Sequence, residues 1–100
     1  MSIEDIEQEV LTWHRETFPR ATDMAVIKKF TEEVRELYES VFLDEGETPD
    51  ELADVCITAI AMLGRHELKL SSVIREKLAI NKSRTWGEET ENGDRPRVKP

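Results

Sequence analysis

One hundred residues with 38% hydrophobic and 36% charged side chains, four Gly and four Pro describe one small soluble domain of helical character, with little room for turn-rich β structure. A net charge of −8 excludes general binding to polymeric nucleic acid, which needs a surplus of Lys and Arg on the contact face. No apolar run reaches the roughly 18 residues of a membrane span, and no signal-like segment opens the chain, so a cytoplasmic protein without a membrane partner is expected. The single Cys56 cannot form an intramolecular disulfide and reads as a small core residue.

Ser2 is placed to cap a first helix running to about Thr17, with Pro19 stopping it. Ile3, Ile6, Val10 and Trp13 recur on it at helical spacing as a narrow apolar stripe. A second helix starts at Thr22 or Asp23 and continues to about Leu43. Met24, Ile27, Phe30, Val34, Leu37 and Val41 fall at steps of three and four, which predicts a core-facing stripe. Glu33 and Glu36 lie about 60° apart on the flank of that stripe, and both can lean toward a neighbouring helix. Glu32 and Glu39 point further out, where a solvated acidic face is the simpler reading.

After an acidic loop, Thr48, Pro49 and Glu51 supply a predicted N-cap, a first-turn proline and a capping-box acid for a third helix ending near Gly64 or His66. Between Leu52 and Leu63 the only polar residues are Asp54 and Thr58. Asp54 is therefore expected to face the interior, sharing a stripe with Glu51 and Thr58. A helix so apolar must be covered by the other helices and by a partner subunit, so a homodimer or homotetramer is expected. A fourth helix follows the cap candidates Ser71 and Ser72 and runs to about Arg84, with Val73, Ile74, Leu78 and Ile80 on its buried side. Lys77, Asn81 and Arg84 form one polar stripe, of which a solvated face is the usual meaning when it is taken alone. The remainder shows no apolar period and reads as a mobile polar tail over 87–100, leaving an all-α domain over 1–86.

A buried carboxylate without a partner is too costly to keep. Glu33-x-x-Glu36 and Glu51-x-x-Asp54 each place two carboxylates one turn apart, about 5 to 6 Å between Cβ atoms. Two such pairs on antiparallel neighbours make a four-acid nest, and hard oxygen ligands of this kind suit Mg²⁺ or Mn²⁺ and, through them, phosphates. A di-iron bundle would need Glu-x-x-His pairs, and neither His14 nor His66 follows one of these acids by three. A salt-bridged acidic seam is the competing explanation, but Lys28, Lys29 and Arg35 are too few to neutralise four acids.

The segments Thr31–Leu37 (TEEVREL), Glu51–Val55 (ELADV) and Lys77–Trp86 (KLAINKSRTW) together resemble the MazG-like branch of the all-α nucleoside triphosphate pyrophosphohydrolases, in its compact single-domain form. The resemblance spans roughly Trp13 to Trp86 and implies a four-helix, oligomeric bundle. It implies hydrolysis of a (deoxy)nucleoside triphosphate to the monophosphate and pyrophosphate. Glu33, Glu36, Glu51 and Asp54 would hold Mg²⁺, with Mn²⁺ as a substitute, and Lys77, Asn81 and Arg84 would contact phosphates or sugar. Glu32 would be the acid that orients or deprotonates the attacking water. Trp13, His14 and Phe18 would sit where a base can stack, although Trp13 reads equally as core. The alternative is a catalytically silent module of the same fold that binds nucleotide or a protein partner.

Overall fold

The computed structural model describes residues 1–98. Four helices follow one another as α1 (Ile3–Thr17), α2 (Asp23–Phe42), α3 (Thr48–Gly64) and α4 (Leu70–Ser83), and a short antiparallel ladder joins β1 (Thr85–Trp86) to β2 (Arg97–Val98). The first two helix starts are set locally. Ser2 and Asp5 form a reciprocal capping box, and the Thr22 hydroxyl accepts from the Ala25 N–H.

The other two starts depend on tertiary partners rather than on the caps the sequence suggests. Thr48 lies inside α3, and its hydroxyl meets the buried Ser40 hydroxyl at 3.0 Å instead of capping the helix. Ser71 lies inside α4, where its backbone N–H donates to the carboxylate of Glu7 on α1, 3.3 Å from both oxygens. Glu7 is only 2% exposed. An anion at a helix N-terminus is stabilised by the unpaired N–H groups and the helix dipole, which is why this acid can be buried. Arg75 of α4 pairs with Glu4, so two acids of α1 hold the fourth helix.

Helix α3 is the hub. It packs most extensively on α2 and also on α1 and α4, while α1 touches α4. At Gly64 an added Cβ would fall 2.0 Å from Leu11 Cδ2, so the close crossing of α1 and α3 requires glycine there. Beyond it, Arg65 reaches across to the Asp23 carboxylate (2.7 Å) and the Ala21 carbonyl, and His66 meets the other Asp23 oxygen at 2.9 Å. This clasp ties the α1–α2 turn to the end of α3.

Three expectations are corrected. The stripes read as core-facing on α1 and α2 are largely exposed: Ile3, Ile6, Trp13, Met24, Ile27, Val34 and Val41 all stand open, and the buried positions are Glu7, Val26, Glu33 and Ser40. Cys56 is likewise exposed. Both helices carry apolar residues on more than one face, and the packing of α3 selects the face that the simple period does not. The stretch from Gly87 onward also returns on itself: Gly87 and Pro96 bond across the ladder, Thr90 and Asp94 close its turn, and the Trp86 indole donates to the Asn81 carbonyl. Residues 99 and 100 of the expected tail lie outside the described residues. No helix among the described residues is long and apolar enough to cross a membrane.

Candidate functional site

The contact between α2 and α3 brings the acids together, and its register follows from the turn between them. Asp44 and Gly46 adopt positive φ (52° and 80°), reversing the chain in a short loop. The Ser40–Thr48 hydroxyl pair then fixes the antiparallel alignment. About one turn back along α2 and one turn forward along α3 from that pair stand Glu36 and Glu51, and about two turns along stand Glu33 and Asp54. At Gly46 an added Cβ would stand 3.0 Å from Glu51 Oε1, so the loop passes close beside this carboxylate.

One carboxylate oxygen from each of Glu33, Glu36 and Glu51 lies within 4.8 Å of the other two. Glu33 is 4% exposed, Glu51 half-buried and Glu36 exposed. Lys29, one turn earlier on α2, pairs with Glu33 Oε1 at 2.9 Å, and the other oxygen, Oε2, is buried with no hydrogen-bond partner. The Glu33 carboxylate raises the pKa of Glu36, first through hydrogen bonding between the two side chains and then through its charge, with weaker contributions from desolvation and from Glu51. Three acids and one bound lysine therefore make an under-neutralised oxygen nest. An orphaned buried oxygen among hard donors is the arrangement a divalent cation satisfies.

Asp54 corrects a further expectation. It is exposed and stands outside the three-acid group, and the acid that is buried is Glu33. It nevertheless joins Glu33 in lining a cavity of about 420 Å³. The rest of that lining is largely aromatic and apolar, with Trp13, His14 and Phe18 from the end of α1, Ala21, Ala25 and Val26 from the start of α2, and Ile57 and Thr58 from α3. Trp13 and Phe18 meet edge to face at 5.7 Å, and His14 lies 5.0 Å from Phe18. An aromatic chamber thus opens beside the acid nest.

The structure does not bring every expected residue here. Glu32 is exposed and outside both the nest and the cavity lining. Lys77, Asn81 and Arg84 share a face of α4 but none lines the cavity; Arg84 instead donates to the Asn81 side-chain oxygen at 3.1 Å. Sequence reasoning counted Lys29 among the nearby cations without pairing it to Glu33, although their i, i+4 spacing signals the pair, and it missed Glu7, whose signal was an acid interrupting the apolar positions of α1.

An all-α bundle that sets a carboxylate nest beside an aromatic cavity suits a metal-dependent nucleotide site, and comparison with known proteins supplies the class, a MazG-like nucleotide pyrophosphohydrolase. Residues 6–100 match the model of the dATP/dGTP pyrophosphohydrolase family, and the chain belongs to that family. It is 32% identical over 85 residues to a dATP/dGTP diphosphohydrolase of Cyanophage S-2L, a match covering 85% of this chain and 78% of that protein. It is 31% identical over 85 residues to a dATP/dGTP diphosphohydrolase of Salmonella phage PMBT28, of which the match covers only 28%. Among solved structures, the Cyanophage S-2L MazG-like pyrophosphohydrolase, bound to dGDP and three catalytic Mn²⁺ ions per active site, superposes with a TM-score of 0.75 at 27% identity, covering 99% of both chains.

Proposed function

We propose that this chain hydrolyses purine deoxynucleoside triphosphates, dATP and dGTP, to the monophosphate and pyrophosphate with Mg²⁺ or Mn²⁺. One observation carries the reading: the orphaned, buried Glu33 oxygen in a three-acid nest opens beside an aromatic cavity of about 420 Å³. The relatives, named dATP/dGTP diphosphohydrolases, and the solved neighbour, bound to dGDP and Mn²⁺, support it.

Glu33, Glu36 and Glu51 would hold the divalent cations, with Asp54 at the mouth of the nest. A bound cation supplies charge neutralisation for the triphosphate and acidifies the attacking water. The other work falls to the chain itself. The aromatic wall formed by Trp13 and Phe18 takes the base, a stacking contact with one of these rings being worth about 1–3 kcal/mol, and so aims the phosphates at the acids. Glu32, one residue before the nest, is the acid we assign to receive the proton of the attacking water. One water is consumed as the bond between the α- and β-phosphoryl groups breaks, and pyrophosphate leaves.

The active form we propose is a homodimer or homotetramer. Val26, Ile60 and Ala61 are the buried hydrophobic residues among those described, too small a core for 100 residues. The radius of gyration, 16.2 Å, exceeds the roughly 13 Å of a compact chain of this length. Packing of a second copy over the exposed apolar faces would complete the core, and we assign Lys77, Asn81 and Arg84 to phosphate contacts made in that assembly.

The test is phosphorus NMR on a panel of eight ribo- and deoxyribonucleoside triphosphates with Mg²⁺ or Mn²⁺. The proposal expects monophosphate and pyrophosphate in equal amounts, fastest from dATP and dGTP. Orthophosphate with diphosphate, or no turnover of any nucleotide, would overturn it.

A further inference from the structure

The cavity read above as the base site must tell one base edge from another, and few of its polar groups are free to do so. Glu33 and Asp54 belong to the acid end, and Lys29 is paired with Glu33. The Thr58 hydroxyl spends its proton on the carbonyls of Asp54 (3.1 Å) and Val55 (2.9 Å) of its own helix. The Trp13 indole offers a donor and no acceptor. His14 is different. It is half-buried, its ring lies 5.0 Å from Phe18 and 6.4 Å from Trp13, and no described residue hydrogen-bonds either ring nitrogen.

We propose that His14 reads the 6-position of the purine base, presenting a ring N–H to the O6 of guanine or a bare ring nitrogen to the N6 amino group of adenine. The two purines differ there by an acceptor against a donor. A neutral imidazole carries one of each and exchanges them by tautomerisation, so one side chain serves both bases. Fixed groups could not do this: an amine or guanidinium would accept only guanine, and a carboxylate only adenine.

The surroundings hold the ring in the neutral form that this requires. Burial first, and then the positive charge of Arg65, lower the His14 pKa from its ordinary value. Arg65 is in turn fixed by Asp23 and the Ala21 carbonyl. Arg15 and Glu67 face His14 across a second cavity of about 320 Å³ on its other side, and Lys29, Glu33 and Asp54 share the base cavity with it.

The inference rests on the base occupying this cavity, and the experiment separates the two claims. kcat/KM is measured for dATP, dGTP and the deoxynucleoside triphosphate of unsubstituted purine, with wild type, His14→Phe and His14→Gln. One hydrogen bond predicts that wild type favours dATP and dGTP over the unsubstituted analogue by about three- to tenfold. His14→Phe should abolish that preference, chiefly through a raised KM for the two natural substrates. His14→Gln, whose amide turns to offer either a donor or an acceptor, should restore most of it. Wild type turning over the analogue as well as dATP and dGTP would overturn this inference and leave the proposed function standing. So would a His14→Phe variant that keeps the preference. No hydrolysis of dATP or dGTP would overturn both. The analogue comparison is made on unmutated protein, so a poorly folded variant does not shelter the inference.

Discussion

Replacing Glu33 by Gln separates metal binding from folding, because this acid is both the most buried member of the nest and the one with an unpartnered oxygen. In metal-free protein, replacing the orphaned oxygen and its charge by an amide NH2 that can donate to the neighbouring Glu36 or Glu51 carboxylate relieves about 1–3 kcal/mol. The change also weakens the pair with Lys29, but that lysine is 59% exposed, so the loss is about 0.2–1 kcal/mol after solvent screening. The balance favours the variant by about 1 kcal/mol, which in a 100-residue domain raises Tm by about 4–8 °C. Metal reverses the order. A cation at a hundred times its Kd stabilises wild type by about 2.7 kcal/mol through mass action, and the variant, lacking a ligand, should gain little. The assay is thermal unfolding of both proteins at one protein concentration, in chelator and in millimolar Mg²⁺ or Mn²⁺. A variant that melts below wild type in chelator would refute the claim of an under-neutralised nest. Equal stabilisation of both proteins by metal would refute Glu33 as a ligand.

Asp54→Asn removes a charge from an exposed position, so stability should change by no more than about 0.5 kcal/mol while turnover falls by orders of magnitude; full activity in steady-state assays would exclude Asp54 from the site. Lys77→Ala should raise the KM for nucleotide without altering Mn²⁺ affinity measured calorimetrically on free protein, and a weakened Mn²⁺ affinity would contradict the phosphate assignment. The pKa of Glu36 is raised above its ordinary 4.5, so its contribution to metal-free stability is fully present below that value and is lost as pH rises through the raised one. Wild type minus Glu36→Gln Tm, followed against pH in chelator, should therefore fall across that window, and a flat difference would count against the coupling. Sizing with light scattering should give a dimer or tetramer at micromolar concentration; a monomer would leave the exposed apolar faces of α1 to α4 unexplained.

What was legible in the chain was whatever neighbouring residues decide. Ser2 caps as read, the second helix starts at Asp23 within the expected Thr22 or Asp23, and helix spans follow from Pro19, Gly64 and the apolar periods. The i, i+3 spacing identified Glu33 and Glu36 as neighbours, and the short α2–α3 turn placed Glu51 beside them. What escaped was set by partners distant in sequence. The rotation of α2 about its axis buries Glu33 and Val26 while exposing Ile27 and Val34, a choice the sequence pattern leaves open because both faces carry apolar residues. Glu7 capping α4 joins positions 64 residues apart, and Ser40 claiming the Thr48 hydroxyl removes the local cap. Two-residue strands such as Thr85–Trp86 and Arg97–Val98 are too short to show a period at all.

The central claim is that one site joins a cation nest on α2 and α3 to a base cavity formed with the end of α1. Anomalous diffraction at the manganese edge, from crystals grown with Mn²⁺ and dGDP, tests it most directly. Manganese peaks are predicted within bonding distance of Glu33, Glu36 and Glu51, with guanine in the aromatic cavity against Trp13 or Phe18. Manganese bound away from these three carboxylates, or guanine outside the aromatic cavity, would contradict it.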